Sequence, residues 1–330
     1  MMYFKSYLKR NINKYPKSET QDLLKLIYQS QYGTGHIVNN PNFSFNFLNE
    51  ELKEVPTISN NLLYEYISND YIRLNLDTFI KTSFPLEELN DMFIQTSFIK
   101  NENNIASKIC ILEDFYNNEE ITDFKNNPVQ KHHSETYRKY YNPHYRLIHK
   151  SLLDVKYKSY LINDYISNLL KNLNKDDLYL IALEGKCASG KTTLSKNIQN
   201  VTIIHVDDFF SNTNDPLQFD KIRDIINNLK PNKPFTYDVY NCMDNSFSSK
   251  HIDSVSNIVI FEGVYSYHEK IRDLFNEVIY VNEAHNQLER LLKRCNGNTI
   301  LYNKFINIWI PRENSYYDSF DFILNASLII

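Results

Sequence analysis

LYLIALEGKCASGKTTLSKNIQN, residues 178–200, decides the architecture of the second half of this 330-residue chain. An apolar run of strand length, 178–183, leads into GKCASGKTT at 185–193, which satisfies G-x-x-x-x-G-K-[ST], and a helix-like stretch follows. That order of strand, glycine-bearing turn and helix is the setting in which such a loop cradles phosphate. Gly185 and Gly190 allow the backbone to turn tightly, so that successive N–H groups converge on phosphate oxygens, and the helix adds its positive N-terminal end. The nucleotide-binding set is then Gly185, Lys186, Cys187, Ala188, Ser189, Gly190, Lys191, Thr192 and Thr193. Lys191 reaches the β and γ phosphates, and the Thr192 hydroxyl holds the magnesium ion that bridges them. Only six glycines occur in the chain. By residue frequency alone the pattern arises by accident on the order of once in a thousand such chains.

Outward from this loop, short apolar runs ending in polar loops recur: VTIIHV at 201–206, NIVIF at 257–261 and EVIYV at 277–281. Runs of this length, rich in β-branched residues and separated by helical stretches, predict buried parallel strands. The expected class is α/β, a three-layer phosphate-loop domain with a parallel sheet over 176–330. Before it come a mostly α-helical domain over 1–150 and a connecting helix over 151–175.

Ligands of open α/β sheets collect at the carboxyl ends of the strands. VDDFF at 206–210 places Asp207 and Asp208 there, and FEGVYS at 261–266 places Glu262 beside the loop, with Gly263 turning the chain away. Asp207 is the candidate to accept a proton from an acceptor hydroxyl, Asp208 is a candidate substrate contact, and Glu262 joins Thr192 as a magnesium ligand. The competing reading of these acids is helix capping or surface polarity. In LERLLKRC at 288–295, Arg290, Lys293 and Arg294 share one helix face and suit either a lid that neutralises a transferring phosphoryl group or a solvated basic face.

GKCASGKTT, VDDFF, FDKIRD at 219–224, YDVYNC at 237–242, FEGVYS, LERLLKRC and WIPRENSYY at 309–317 together resemble the uridine kinase and phosphoribulokinase group of P-loop kinases, over about 178–330. The resemblance implies a P-loop NTPase fold and ATP-dependent phosphorylation of a small-molecule hydroxyl, with a nucleoside as the first candidate. It also implies Asp207 as general base, Glu262 assisting magnesium, Asp238 beside Tyr237 bonding a sugar hydroxyl, and Arg290 and Arg294 in a lid. One departure stands out, because uridine kinases carry a histidine-bearing segment soon after the Tyr-Asp pair, whereas this chain reads YDVYNCMDN at 237–245. Another nucleoside such as nicotinamide riboside, a pantothenate-like alcohol or a sugar phosphate suits the same core, since fold and phosphate chemistry do not choose the acceptor. Tyr237-Asp238 reads equally as a turn, and Arg312 with Glu313 as a structural ion pair.

In the first half, apolar residues at helical spacing recur around 18–31, 62–68, 87–94 and 106–116. Two segments break this pattern, QYGTGHIV at 31–38 and HHSETYRKYYNPHYRLI at 132–148. The second mixes histidine, tyrosine and arginine in a way that suits an anionic or aromatic ligand. The alternatives are a helix terminus and packing tyrosines with arginines paired to acids, or a metal held by His36, His132 and His133.

A net charge of −4 provides no basic field for a phosphate backbone, so nucleic acid is not the expected partner. Cys110, Cys187, Cys242 and Cys295 are far apart and form no CxxC pair. No run approaches the roughly 18 apolar residues of a membrane span, and the charged start MMYFKSYLKRNINKYPK does not read as a signal peptide. These features lead to the expectation of a cytoplasmic protein without membrane contact. The expected activity is that of a small-molecule kinase using magnesium and ATP, with GTP as the other nucleotide. Two other readings stay open, a nucleotide-gated binding or regulatory protein in which the loop senses ATP, and a separate enzyme in the first half.

Overall fold

The computed structural model describes residues 2–34, 38, 40–55, 62–99, 105–116, 118–141, 144–210, 215–241, 246–283 and 287–330. Gly35, His36 and Cys242, singled out above, lie outside them. The chain forms two compact units that divide at Tyr157 and Lys158.

The first unit contains α1 (Met2–Lys14), α2 (Thr20–Tyr32), α3 (Pro41–Glu54), β1 (Tyr64–Tyr66), β2 (Tyr71–Asn75), α4 (Leu76–Phe79), α5 (Leu86–Phe98), α6 (Ile105–Glu113), α7 (Glu119–Asn126), α8 (Glu135–Tyr141) and β3 (Tyr145–His149). Helix α9 (Lys150–Leu170) runs through the division. The unit is mostly helical, but β1, β2 and β3 form an antiparallel sheet in that order, which periodicity alone did not announce. Leu8, Leu23, Leu24, Ile27, Ile67, Tyr71, Ile109, Leu112, Phe124 and Leu147 make its core. The start of α2 is fixed by a capping box, in which the side chains of Glu19 and Asp22 each accept the other residue's backbone N–H.

The second unit contains β4 (Tyr179–Glu184), α10 (Lys191–Ser195), β5 (Thr202–His205), α11 (Phe219–Asn228), β6 (Phe235–Asn241), β7 (Ser246–Ile252), β8 (Ile258–Glu262), β9 (Glu277–Tyr280), α12 (Gln287–Cys295), α13 (Thr299–Lys304), α14 (Ile310–Asp318), α15 (Phe322–Asn325) and β10 (Leu328–Ile329). Five strands form a parallel sheet in the order β10-β9-β4-β8-β5, and β6 pairs with β7 as a separate antiparallel hairpin. Four of the five strands coincide with the apolar runs read from sequence. Two-residue β10 is too short to carry a pattern.

Alternation along each strand explains the three layers, because successive side chains point to opposite faces. Leu180, Ala182, Val259, Phe261, Val278 and Tyr280 pack with Phe219, Ile222, Ile225 and Ile226 of α11. Ile181, Leu183, Ile258, Ile260, Ile279 and Val281 pack with Leu194, Ile198 and the end of α9 at Ile162 and Ile166. Both faces are covered, which is why the strands read as continuous apolar runs.

The carboxyl edge of the sheet is tight at Gly263. Its φ is 153°, and a Cβ there would meet Val206 Cγ2 at 2.1 Å. This contact brings the residue after β8 against the residue after β5. Gly263→Ala is therefore expected to destabilise the second unit by about 2–4 kcal/mol from backbone strain and overpacking combined. A Val206→Ala change in the same chain should restore part of that loss. Urea unfolding of the four-member cycle measures both effects, and an unchanged midpoint for Gly263→Ala would refute the steric account.

Candidate active site

Gly190 adopts φ 97° in the left-handed region and caps α10, a conformation that glycine enters without strain. The helix then runs for only five residues, Lys191–Ser195, and ends before the helix-like stretch read after the loop does. Its dipole is correspondingly small, so the backbone N–H groups of the loop itself are the main anion-binding element. Lys191 is buried, with Nζ donating to the carbonyl oxygens of Gly185 at 2.5 Å and Lys186 at 3.0 Å. Its ammonium is thus held across the mouth of the loop. Ser189 Oγ and Arg290 Nε are buried and hydrogen-bonded to nothing among the described residues. Buried polar groups without partners need an explanation, and for Ser189, which lies in the loop itself, phosphate oxygens would supply it.

Not every N–H in the loop is free. Cys187 donates its N–H to Glu313 Oε2 at 3.0 Å, and its thiol is pushed up to about 12 by burial, so it stays protonated and unreactive. Lys186 Nζ donates to Asn314 Oδ1 at 2.9 Å. Glu313 therefore braces the loop rather than pairing with the exposed Arg312.

The register of β5 on β8 sets His205 opposite Glu262. His205 Nδ1 lies 2.6 Å from Glu262 Oε2, and this hydrogen bond raises the histidine pKa. From the loop side, Thr192 Oγ1 donates to Glu262 Oε1 at 3.2 Å. Hydroxyl and carboxylate together form a hard oxygen pair that suits magnesium, which takes few protein ligands and keeps water and phosphate oxygens for the rest. Among the described residues no group of three or more His, Cys, Asp or Glu side chains is placed to hold a metal.

Asp207 follows β5 in a 3₁₀ turn, Val206–Phe209, and reaches solvent. Crowding by protein atoms, then the nearby charge of Glu262, raises its pKa, while Lys191, Arg294 and His205 oppose the rise. Asp208 turns inward, accepting from Tyr237 Oη at 2.9 Å and from Lys250 Nζ at 2.7 Å. Its charge thereby ties the β6–β7 hairpin to the strand end. Asp238 is exposed, on the opposite face of β6 from buried Tyr237. The structure thus separates the three residues read as substrate contacts: Asp208 and Tyr237 bond each other, and Asp238 stands apart.

The basic face of α12 also divides. Arg290 folds inward, with Nη2 donating to Glu283 O at 3.4 Å. Lys293 pairs with Glu289 at 3.1 Å on the surface. Arg294 is exposed yet close enough to Asp207 to lower its pKa.

Sequence reasoning passed over Glu184, His205, Lys250 and the bracing role of Glu313. Glu184, the last residue of β4, is fully buried and surrounded by donors. Gly185 N and Tyr317 Oη donate to Oε1 at 2.9 and 2.7 Å, while Tyr267 N and Tyr316 Oη donate to Oε2 at 3.1 and 2.9 Å. Burial pushes its pKa up, and Lys191 and these donors pull it back. The only sequence signal was an acid closing an apolar strand directly before the first loop glycine.

No protein-family model matches the chain. It is similar over 117 residues, at 31% identity, to the inorganic pyrophosphatase TTM1 of Arabidopsis thaliana, a match covering 31% of this chain and 18% of that protein. The chain therefore spans less than a fifth of that relative's length. Among solved structures it is similar to a possible uridine kinase from Bacillus stearothermophilus, with a TM-score of 0.39 and 18% identity, covering 51% of this chain and 96% of that one. It is also similar to a putative fructose transport system kinase from Silicibacter sp. TM1040, with a TM-score of 0.34 and 16% identity over 42% of this chain and 82% of that one. The YGR205w protein is matched with a TM-score of 0.38 and 13% identity over 50% of this chain and 88% of that one.

Each oxygen of Glu184 receives a backbone N–H, so an amide in its place must turn its NH₂ toward a donor in either orientation. Glu184→Gln is expected to cost about 1–3 kcal/mol of stability in the second unit and to weaken nucleotide binding. Urea unfolding and nucleotide titration of the variant check this. Wild-type values in both would show that the donors rearrange freely.

Proposed function

We propose that the second unit is an ATP- and magnesium-dependent kinase that phosphorylates a hydroxyl of a small, nucleoside-like molecule. The observation that carries this reading is the convergence of Lys191, the Thr192–Glu262 pair and Asp207 at the carboxyl ends of the neighbouring strands β4, β8 and β5. A protein that only senses nucleotide needs the loop but has no use for a carboxylate held beside it with a raised pKa.

Loop N–H groups and Lys191 would bind and orient the phosphate chain, with Arg290 Nε and Ser189 Oγ as further donors. Thr192 and Glu262 would hold magnesium, which when bound neutralises charge on the phosphate oxygens. Asp207 accepts the proton of the acceptor hydroxyl, that oxygen forms its bond to the γ phosphorus, and the bond to the departing ADP oxygen breaks. Arg294 supplies positive charge near the transfer. Half-buried Phe210 and Trp309, with ring centroids 6.4 Å apart, lie just beyond Asp207 in the chain and in the WIPREN segment respectively. Such rings suit the flat face of a nucleoside base.

With ATP, magnesium and a panel of nucleosides, vitamin alcohols and sugar phosphates, purified protein should consume ATP only when the right acceptor is present. Asp207→Asn should lower kcat by about 10²- to 10⁴-fold and leave nucleotide affinity unchanged, whereas Lys191→Ala should impair both. Tight nucleotide binding with no acceptor dependence would instead favour a sensor.

The pH profile gives a second check. Asp207 works as a base only when ionised, so its raised pKa places the acid limb of kcat/KM above the usual aspartate range. Arg294 lowers that pKa. Arg294→Gln should therefore move the acid limb to higher pH, and a limb that stays in place would remove Arg294 from the neighbourhood of the base.

A further inference from the structure

We propose that the first unit contains a binding site for a small phosphate-bearing anion, built from Arg73, Lys25 and Tyr7. It is separate from the nucleotide loop and draws on the histidine- and tyrosine-rich segment that the kinase reading leaves unused.

Arg73 lies at the centre of β2, between Glu65 on β1 and Leu147 on β3, and is 5% exposed. A guanidinium stays charged in any protein environment, so burying one without a counter-charge is costly. Among the described residues no carboxylate pairs with Arg73. One amino group, Nη2, donates to Gln29 Oε1 at 3.0 Å, the guanidinium stands over the ring of Tyr145 at 4.6 Å, and Nε is buried without a partner among the described residues. Tyr145 Oη donates to the same Gln29 oxygen at 3.3 Å and lies 3.0 Å from His133 Nε2.

Nearby acids are already engaged. Asp22 accepts from the N–H and hydroxyl of Ser134 at 2.9 and 2.7 Å and from Glu19 N at 2.9 Å, and it lies 3.1 Å from His133 Nδ1. Glu65 accepts from Lys14 Nζ at 2.7 Å. Tyr7 and Tyr137 are neutral and do not balance Arg73, since burial pushes Tyr7 up to about 12 and raises Tyr137 further. His133 is neutral as well, driven down to about 4 by burial.

Two more donors stand nearby, Lys25 one turn before Gln29 on α2 and Tyr7 in the core of the same unit. Tyr7 Oη is buried without a partner among the described residues and interacts electrostatically with Arg73. Lys25, partly buried on α2, has no hydrogen bond or ion pair among the described residues, and its pKa is lowered by burial and by the charges of Arg73 and Arg138. Arg138 on α8 is exposed. Arg73 and Arg138 both act on the charge of Lys25, so the three cations create a positive field that favours an anion there.

The donors select the ligand. A carboxylate pairs best with a paired N–H edge of a guanidinium, and both such edges of Arg73 include Nη2, which already gives one of its N–H groups to Gln29. The guanidinium Nε–H, an ammonium and a phenol on three separate side chains suit the several oxygens of a tetrahedral phosphate.

Isothermal titration and thermal unfolding of the full chain, with the Arg73→Met chain as the reference that retains any uptake at the nucleotide loop, test the proposal with inorganic phosphate, glycerol phosphate, acetate and chloride at equal ionic strength. Phosphate or its monoester should raise the melting temperature of the first unit by about 5 °C at saturation, and a stronger response to the monoester would identify an organic phosphate as the ligand. Lys25→Gln and Tyr7→Phe should each weaken binding about tenfold. Tyr7→Phe should leave phosphate-free stability unchanged or higher, because it removes a hydroxyl that has no partner. Arg73→Met should abolish the response and raise phosphate-free stability. No effect of phosphate beyond that of chloride, an equal effect of acetate, or an unaltered phosphate response in Lys25→Gln and Tyr7→Phe would overturn the proposal.

Discussion

The carboxylate of Glu184 is the contact on which the second unit depends. It ends the central strand β4, receives the N–H of the first loop glycine, and is bonded by Tyr316 and Tyr317 from α14 and by the backbone of Tyr267 after β8. A buried carboxylate is tolerable only when its lone pairs are filled and positive charge stands near. The donors fill them and Lys191 supplies the charge. Helix α14 is therefore fastened to the point where the phosphate loop begins. Glu313, one turn earlier on the same helix, fastens Cys187 within the loop. WIPRENSYY serves as the outer wall of the loop, and its acid and tyrosines are needed for that wall before any contact with ligand.

The strand ends impose the second constraint. Parallel pairing of β5 with β8 fixes His205 against Glu262, and the close approach of Gly263 to Val206 carries the chain away without pushing Asp207 aside. Crowding by protein atoms first, and then repulsion from Glu262 across this edge, raise the pKa of Asp207. Two acids whose surroundings separate them, one bonded by Thr192 and His205 and the other left open to solvent, are suited to different tasks. That division gives physical content to the proposed roles of metal ligand and base.

Legibility in the sequence followed the same lines. The buried parallel strands were visible because both faces are covered, giving runs such as 258–261 that contain no polar residue. The loop was visible because glycine is scarce and its spacing is specific. The sheet of the first unit was not, since β1 has three residues and β2 carries Arg73 in its middle, so neither run nor alternation stands out. Asp207 and Asp208 are adjacent, and both were read as facing ligand, one as base and one as substrate contact. Only the fold shows that one faces solvent while the other is bonded by Tyr237 and Lys250, because Lys250 lies 42 residues away on the far strand of the hairpin. Glu184 and Glu313 escaped for a related reason: a carboxylate becomes structural through the donors that distant segments aim at it.

The same accounting applies to cations, where it leads further. Lys191 is buried but shares its protons with two carbonyl oxygens and stands near Glu184, so the loop is stable before any phosphate arrives. Arg73 is buried with a single amide oxygen and a tyrosine face for company, while the acids around it are occupied by other donors. If Arg73 served packing alone, a neutral side chain of similar length would fill the space without the desolvation cost, as hydrophobic replacements of buried ions often do. A charge kept in such a place needs a reason beyond the fold, and an anion held beside Lys25 supplies one.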